Sequence, residues 1–143
     1  MLETERLVLR RWEESDAENL YHYANDPDVG PIAGWPPHQS IDASPDVIRN
    51  VFNGREAYAI CLKKDNKAIG AIELKLNGYT DMTERDDECE LGYWLGKPFW
   101  GRESYRRLPG RCFGMPSLPS VRPFPAISFP NARYYSQFRR DCE

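Results

Sequence analysis

Hydrophobic and polar positions change their period several times along the chain, and each change predicts an element. In RLVLRRW, Leu7 and Leu9 alternate with charged neighbours around Val8, the mark of a short opening strand. Ser15 and Glu18 have capping-box spacing, and Ala17, Leu20, Tyr21 and Ala24 then recur on one helical face, predicting a first helix over about 16–25. Asp26-Pro27-Asp28 ends it, and GPIAGWPPHQS reads as a proline-rich loop carrying Trp35 and His38. Ser44 as N-cap before Pro45, a stripe of Val47, Ile48, Val51 and Phe52, and Asn53-Gly54 as a stop predict a second helix.

The period then shortens. AYAICL and AIGAIELKL flank the turn KKDNK, so residues 57–76 read as an antiparallel hairpin. The segment from Gly78 to Glu88 is a polar, acidic loop. In CELGYWL, Cys89, Leu91, Tyr93 and Leu95 alternate with Glu90, Gly92 and Trp94, which makes this the fourth predicted strand. The order strand, helix, helix, strand, strand, strand implies an α+β fold in which two helices cover one face of an antiparallel sheet.

Composition adds a break that the averages hide. The 143 residues carry a formal charge of −3, a size that fits one domain. Up to Gly101 there are 11 Lys and Arg against 19 Asp and Glu; beyond it there are 8 Arg, no Lys and 3 acids. Six of the twelve prolines also fall in 102–143, spaced so that no long helix or central strand survives between them. An irregular Pro/Arg-rich tail is therefore expected over 102–143, behind a folded part spanning 1–101. As a basic arm it would suit nucleic acid, but it lacks the repeated Lys/Arg clusters such binding uses, so no nucleic-acid partner is expected. No apolar run approaches the ~20 residues of a membrane span, and MLETERLVLRRWEESD shows no secretory signal; the expected location is the cytoplasm, with no membrane partner. Cys61, Cys89, Cys112 and Cys142 stand apart, are read as reduced thiols and give no metal-ligand spacing.

Candidate chemistry gathers around the fourth predicted strand. Glu90 in mid-strand is partly desolvated if the sheet is covered there, which would push its carboxyl toward the range of a general base; the bland reading is a surface glutamate on a solvated face. The strand ends in LGKPFWG, a Gly-rich turn of the kind that presents backbone N–H groups to phosphate, yet the helix expected to follow does not arrive.

ETERLVLRRWEESDAENL together with ECELGYWLGKPFWGR resembles the GNAT superfamily of acyl-CoA N-acetyltransferases, in particular its branch of ribosomal-protein N-terminal acetyltransferases, over about Leu2 to Arg102. The resemblance implies transfer of an acetyl group from acetyl-CoA to a primary amine on a protein N terminus or a small molecule. It implies Glu90 as base, the backbone of Trp94, Leu95 and Gly96 against the pantetheine arm, and Trp100, Gly101 and Arg102 at the start of the pyrophosphate loop. Trp35, His38 and Tyr93 would line the amine side, where plain loop packing is the alternative for Trp35 and His38, and alternation turns Tyr93 to the face opposite Glu90 unless a bulge re-aims it, which leaves its role open. After Trp100-Gly101-Arg102 the branch's pattern stops matching at Glu103. A frameshift after Arg102 accounts for this: codons chosen within the degenerate code and read one frame over spell Gly-Ile-Ile-Pro-Glu-Ala-Ala-Arg-Gln-Met-Leu-Arg-His-Ala, an amphipathic helix start. On that reading the fold is truncated after the fourth predicted strand, acetyl-CoA binding is impaired, and the exposed strand edge invites self-association. The alternative to an enzyme is a non-catalytic, truncated relic without the pyrophosphate loop and cofactor helix.

Overall fold

In a computed structural model, the structure describes residues 2–33, 35, 36, 38, 40–76, 88–100 and 127–130. A six-stranded antiparallel sheet runs in chain order: β1 (Leu2–Glu3), β2 (Leu7–Arg10), β3 (Ala57–Leu62), β4 (Ala68–Leu76), β5 (Glu88–Leu95) and β6 (Ile127–Pro130). Between β2 and β3 stand α1 (Ala17–Ala24), a single turn α2 (Gly30–Ala33) and α3 (Ser44–Asn50). The predicted hairpin over 57–76 and the strand at 89–95 are present. The loop over 78–88 lies outside the described residues but for Glu88, which opens β5.

Four local expectations change. The first helix is entered through a 3-10 turn over Glu14–Asp16, and the carboxylate that closes this entry is Asp16, which accepts the Glu13 N–H at 3.0 Å, in place of the Ser15–Glu18 capping box. Ser44 is the first residue of α3 and does not cap it: a 3-10 turn over Ile41–Ala43 feeds the helix, and the Ser44 hydroxyl is buried with no hydrogen-bond partner among the described residues. The proline-rich loop contains the α2 turn, because Val29 and Gly30 accept the N–H groups of Ala33 and Trp35. The tail is not irregular throughout. Ile127–Pro130 forms β6, which pairs with β5 from Glu88 to Leu91 and covers that half of the edge expected to lie open.

Period-two alternation divides the sheet into two faces. Register puts Leu9 with Ile60, Ile72 with Tyr93 and Leu74 with Leu91 on one of them, an apolar surface that is buried but for the half-buried Tyr93. The other face carries Ala59, Ala71, Glu73, Lys75, Glu90, Gly92 and Trp94, and α1 and α3 pack over it through Leu20 and Val47, with Phe52 just beyond α3. Alanines under the helices let them approach closely, and each large side chain buried between the layers contributes about 1.5–3 kcal/mol.

Arg10 ties three segments together. Its guanidinium donates to both carboxylate oxygens of Asp16 at 2.7 and 2.8 Å, and to the side chain and carbonyl of Asn66 at 3.0 and 3.1 Å. Asn66 is the one non-glycine residue at positive φ among the described residues, in the β3–β4 turn where its short side chain tolerates the left-handed conformation. One cation thus joins β2, the entry to α1 and the hairpin turn. Asp16 is 3% exposed, and removing its charge strands the guanidinium. Asp16→Asn is expected to cost about 3–5 kcal/mol of folding free energy in urea unfolding; a loss under about 1 kcal/mol would show that the pair is screened like a surface bridge.

Candidate functional site

The site starts with Trp94. From β5 its indole stacks toward Trp12 (6.4 Å between centroids), which stacks on Phe52 beyond α3 (4.9 Å), while Trp35 meets Trp94 edge to face at 5.7 Å. Trp35 is held from the other side by its backbone N–H on Gly30 and its indole N–H on the Ala24 carbonyl at the end of α1. These aromatic contacts fasten the inter-helix loop and the end of α3 to the sheet. They also prop the layers apart around a cavity of about 300 Å³.

The wall of that cavity is apolar on the helix side, with Leu20, Val47, Val51 and Phe52. On the sheet side are Glu73, Lys75, Gly92 and Trp94, with Tyr93 bordering the space although alternation assigns its side chain to the opposite face, and the loop adds Trp35 and His38. Trp35, His38 and Tyr93, read from the sequence as the amine side, therefore line one space together with Trp94. Glu90 lies beside it, 3% exposed, bonded to Lys75 at 3.0 Å. The solvated-surface reading of Glu90 does not hold, because its side chain is buried.

Burial is the largest influence on Glu73, whose carboxyl is raised above its ordinary 4.5; Lys75 opposes this and the neighbouring Glu90 adds to it. Desolvation lowers the His38 imidazole from 6.5, so at neutral pH it is uncharged. Its Nδ1, like the indole Nε1 of Trp94, is buried with no hydrogen-bond partner among the described residues. Cys61, away from the cavity, has its thiol pushed up to about 11 by burial and is inert.

At the end of β5 the backbone decides which groups face outward. The Gly96 N–H donates to the Ile69 carbonyl at 2.8 Å, and alternation turns the backbone of Trp94 to β4 as well. The outward-facing groups beyond the end of β6 are those of Tyr93 and Leu95, and the Leu95 carbonyl accepts the Trp100 indole N–H at 2.7 Å. After Gly96 the chain makes a 3-10 turn over Lys97–Phe99, in which the Phe99 and Trp100 N–H groups bond back to Gly96 and Lys97. Gly101 and Arg102 lie outside the described residues.

Glu73, Lys75 and Gly92 escaped the sequence reading. In AIELKL the alternation of Ala71, Glu73 and Lys75 was legible, but charges on alternate positions read as a solvent face, and only the helix layer makes that face an interior.

Fold and site together define an antiparallel α+β protein with a small, aromatic-walled pocket beside the end of β5. The family model described as acetyltransferase (GNAT) domain matches residues 6–107, and the chain belongs to that family. An uncharacterized N-acetyltransferase p20 of Bacillus licheniformis is 29% identical over 106 residues, which are 71% of this chain and 57% of that protein. The crystal structure of a GNAT-family acetyltransferase from Bacillus anthracis has a similar fold, with a TM-score of 0.53 at 23% identity over 73% of this chain and 57% of that one. The chain thus spans a little over half the length of the relatives it matches. Among the described residues no helix is long and apolar enough to cross a membrane.

The raised Glu73 carboxyl has a consequence for stability. The folded state holds its proton to higher pH than the unfolded chain, so stability is lost as pH rises from about 4.5 through the folded value. Glu73→Gln should melt above the parent at neutral pH, with the gap closing as pH falls below about 4.5. Melting temperatures of both proteins between pH 4 and 8 check this; a gap independent of pH would assign the effect to packing.

Proposed function

We propose that this chain is the N-terminal part of an N-acetyltransferase that moves an acetyl group from acetyl-CoA to a primary amine. Membership of the GNAT family carries this reading. The end of β5 supports it, since the backbone groups of Tyr93 and Leu95 turn away from β4 there, with no strand partner among the described residues, and would suit an extended amide-bearing arm in the manner of an added strand. Acetyl-CoA supplies a thioester whose carbonyl a neutral amine attacks, with the thiol as leaving group.

The residues at hand have separate tasks. The cavity wall takes in Gly92, Tyr93 and Trp94, so an amine held in it reaches the same stretch of β5. Glu90 is the proton acceptor that family resemblance suggests, acting directly or through water. Lys75 stands 3.0 Å from its carboxylate in a covered position. Trp100 anchors the turn that leads toward the pyrophosphate loop, which would start at Trp100, Gly101 and Arg102.

We attribute the Pro/Arg-rich 102–143 to a frameshift after Arg102, and the family match, which ends at residue 107, supports this. The same observation favours a second reading, a non-catalytic relic, for the chain as it stands.

Two measurements separate these readings. Calorimetric titration of the chain as it stands should give acetyl-CoA affinity weaker than micromolar, about −8 kcal/mol; tighter binding would mean that 102–143 builds a replacement for the missing loop and would end the frameshift account. A gene with one base inserted after the Arg102 codon and its downstream frame supplied should release thiol from acetyl-CoA with primary amines. In that protein Glu90→Gln should lower kcat/KM by about 10²–10⁴-fold, whereas a change under about threefold would make Glu90 structural.

A further inference from the structure

We infer that the cavity takes a primary monoamine on an apolar, ring-sized body, with its ammonium at Glu73. This deepens the acetyl-transfer reading by naming the acceptor, and rests on it for the reaction. Size is the first argument. About 150 Å³ is enough for benzene, so about 300 Å³ holds one ring, a short arm and an amine, and leaves no room for a sugar chain or a long polyamine coiled on itself.

Charge is the second. Among the described lining residues Glu73 is the acid and Lys75 the base, and Lys75 is already engaged by Glu90. That leaves one uncompensated carboxylate, which matches one ammonium; a polycation would bring charges with no partner. The faces of Trp35 and Trp94 suit the same monocation and its ring.

Space and unsatisfied donors are the third. A Cβ placed on Gly92, which faces Glu73 across the strand pair, would touch nothing within 4 Å, so the protein leaves a side chain's volume open at the centre of the wall. Gly54 does the same for the acid: a Cβ there would come within 2.6 Å of Glu73 Oε1, so the carboxyl occupies the space that this glycine frees. The buried, unpartnered Nε1 of Trp94 and Nδ1 of His38 both belong to the wall, and a carbonyl on the ligand would satisfy the indole N–H.

The amine can belong to a free arylalkylamine or to an apolar first residue of a peptide, and the test distinguishes them. Tryptophan fluorescence and calorimetry on the chain as it stands, without acetyl-CoA, would follow phenylalaninamide, a Phe-Ala-Ala tripeptide amide, N-acetylphenylalaninamide and spermidine. At least one of the first two should bind, with N-acetylphenylalaninamide and spermidine at least tenfold weaker. Tighter binding of the tripeptide assigns a protein N terminus; tighter binding of phenylalaninamide assigns a small metabolite. Glu73→Gln, Gly54→Ala and Gly92→Leu should each weaken binding at least tenfold, while Gly92→Ala, which adds only a methyl to open space, keeps the fold by circular dichroism. The inference is overturned if spermidine binds as well as the aromatic amines, if neither aromatic amine binds, or if folded Gly92→Leu binds within threefold of the parent. Because no acetyl donor is present, a failed acetyl-transfer reading would leave this binding result standing.

Discussion

Trp94 is the side chain on which the site's geometry depends. It sits on β5 between Trp12 and Trp35, so the position of the inter-helix loop and of the end of α3 is referred to one indole in the sheet. Aromatic pairs of this kind are worth about 0.5–1.5 kcal/mol each beyond the area they bury. Their bulk matters as much as their energy here. Flat rings cannot fill the wedge between two crossing layers, and the unfilled part becomes the cavity.

Polar groups enter that interior under constraint. Lys75 and Glu90 neutralise each other across β4 and β5, which offsets the cost of burying the Glu90 charge alone. Glu73, one register step away, has no ion pair within bonding distance among the described residues, and its raised carboxyl is the measure of that. A protein that keeps such a group keeps it at some expense to stability, which fits a site better than a scaffold.

The edge of β5 divides its own length by a similar economy. From Glu88 to Leu91 it is paired to β6; from Gly92 to Leu95 no strand partner stands among the described residues, and one carbonyl there is taken by Trp100. Pairing protects the first half from association, while in the second the Tyr93 and Leu95 backbone groups turn away from β4.

Local patterns determined a good deal by themselves. The hairpin over 57–76, the strand at 89–95 and the two main helices follow from period and turn chemistry, because each is set by side chains close in sequence. The helix entries did not follow, because Asp16 is drawn to Arg10 across a tertiary contact and Ser44 is buried by one. Trp35, His38, Tyr93 and Glu90 were legible as candidates from motif and resemblance. That Glu73 and Lys75 belong with them was not, since alternation says only that they share a face. Which face meets water was decided by where α1 and α3 pack, and by the aromatic side chains that hold them there.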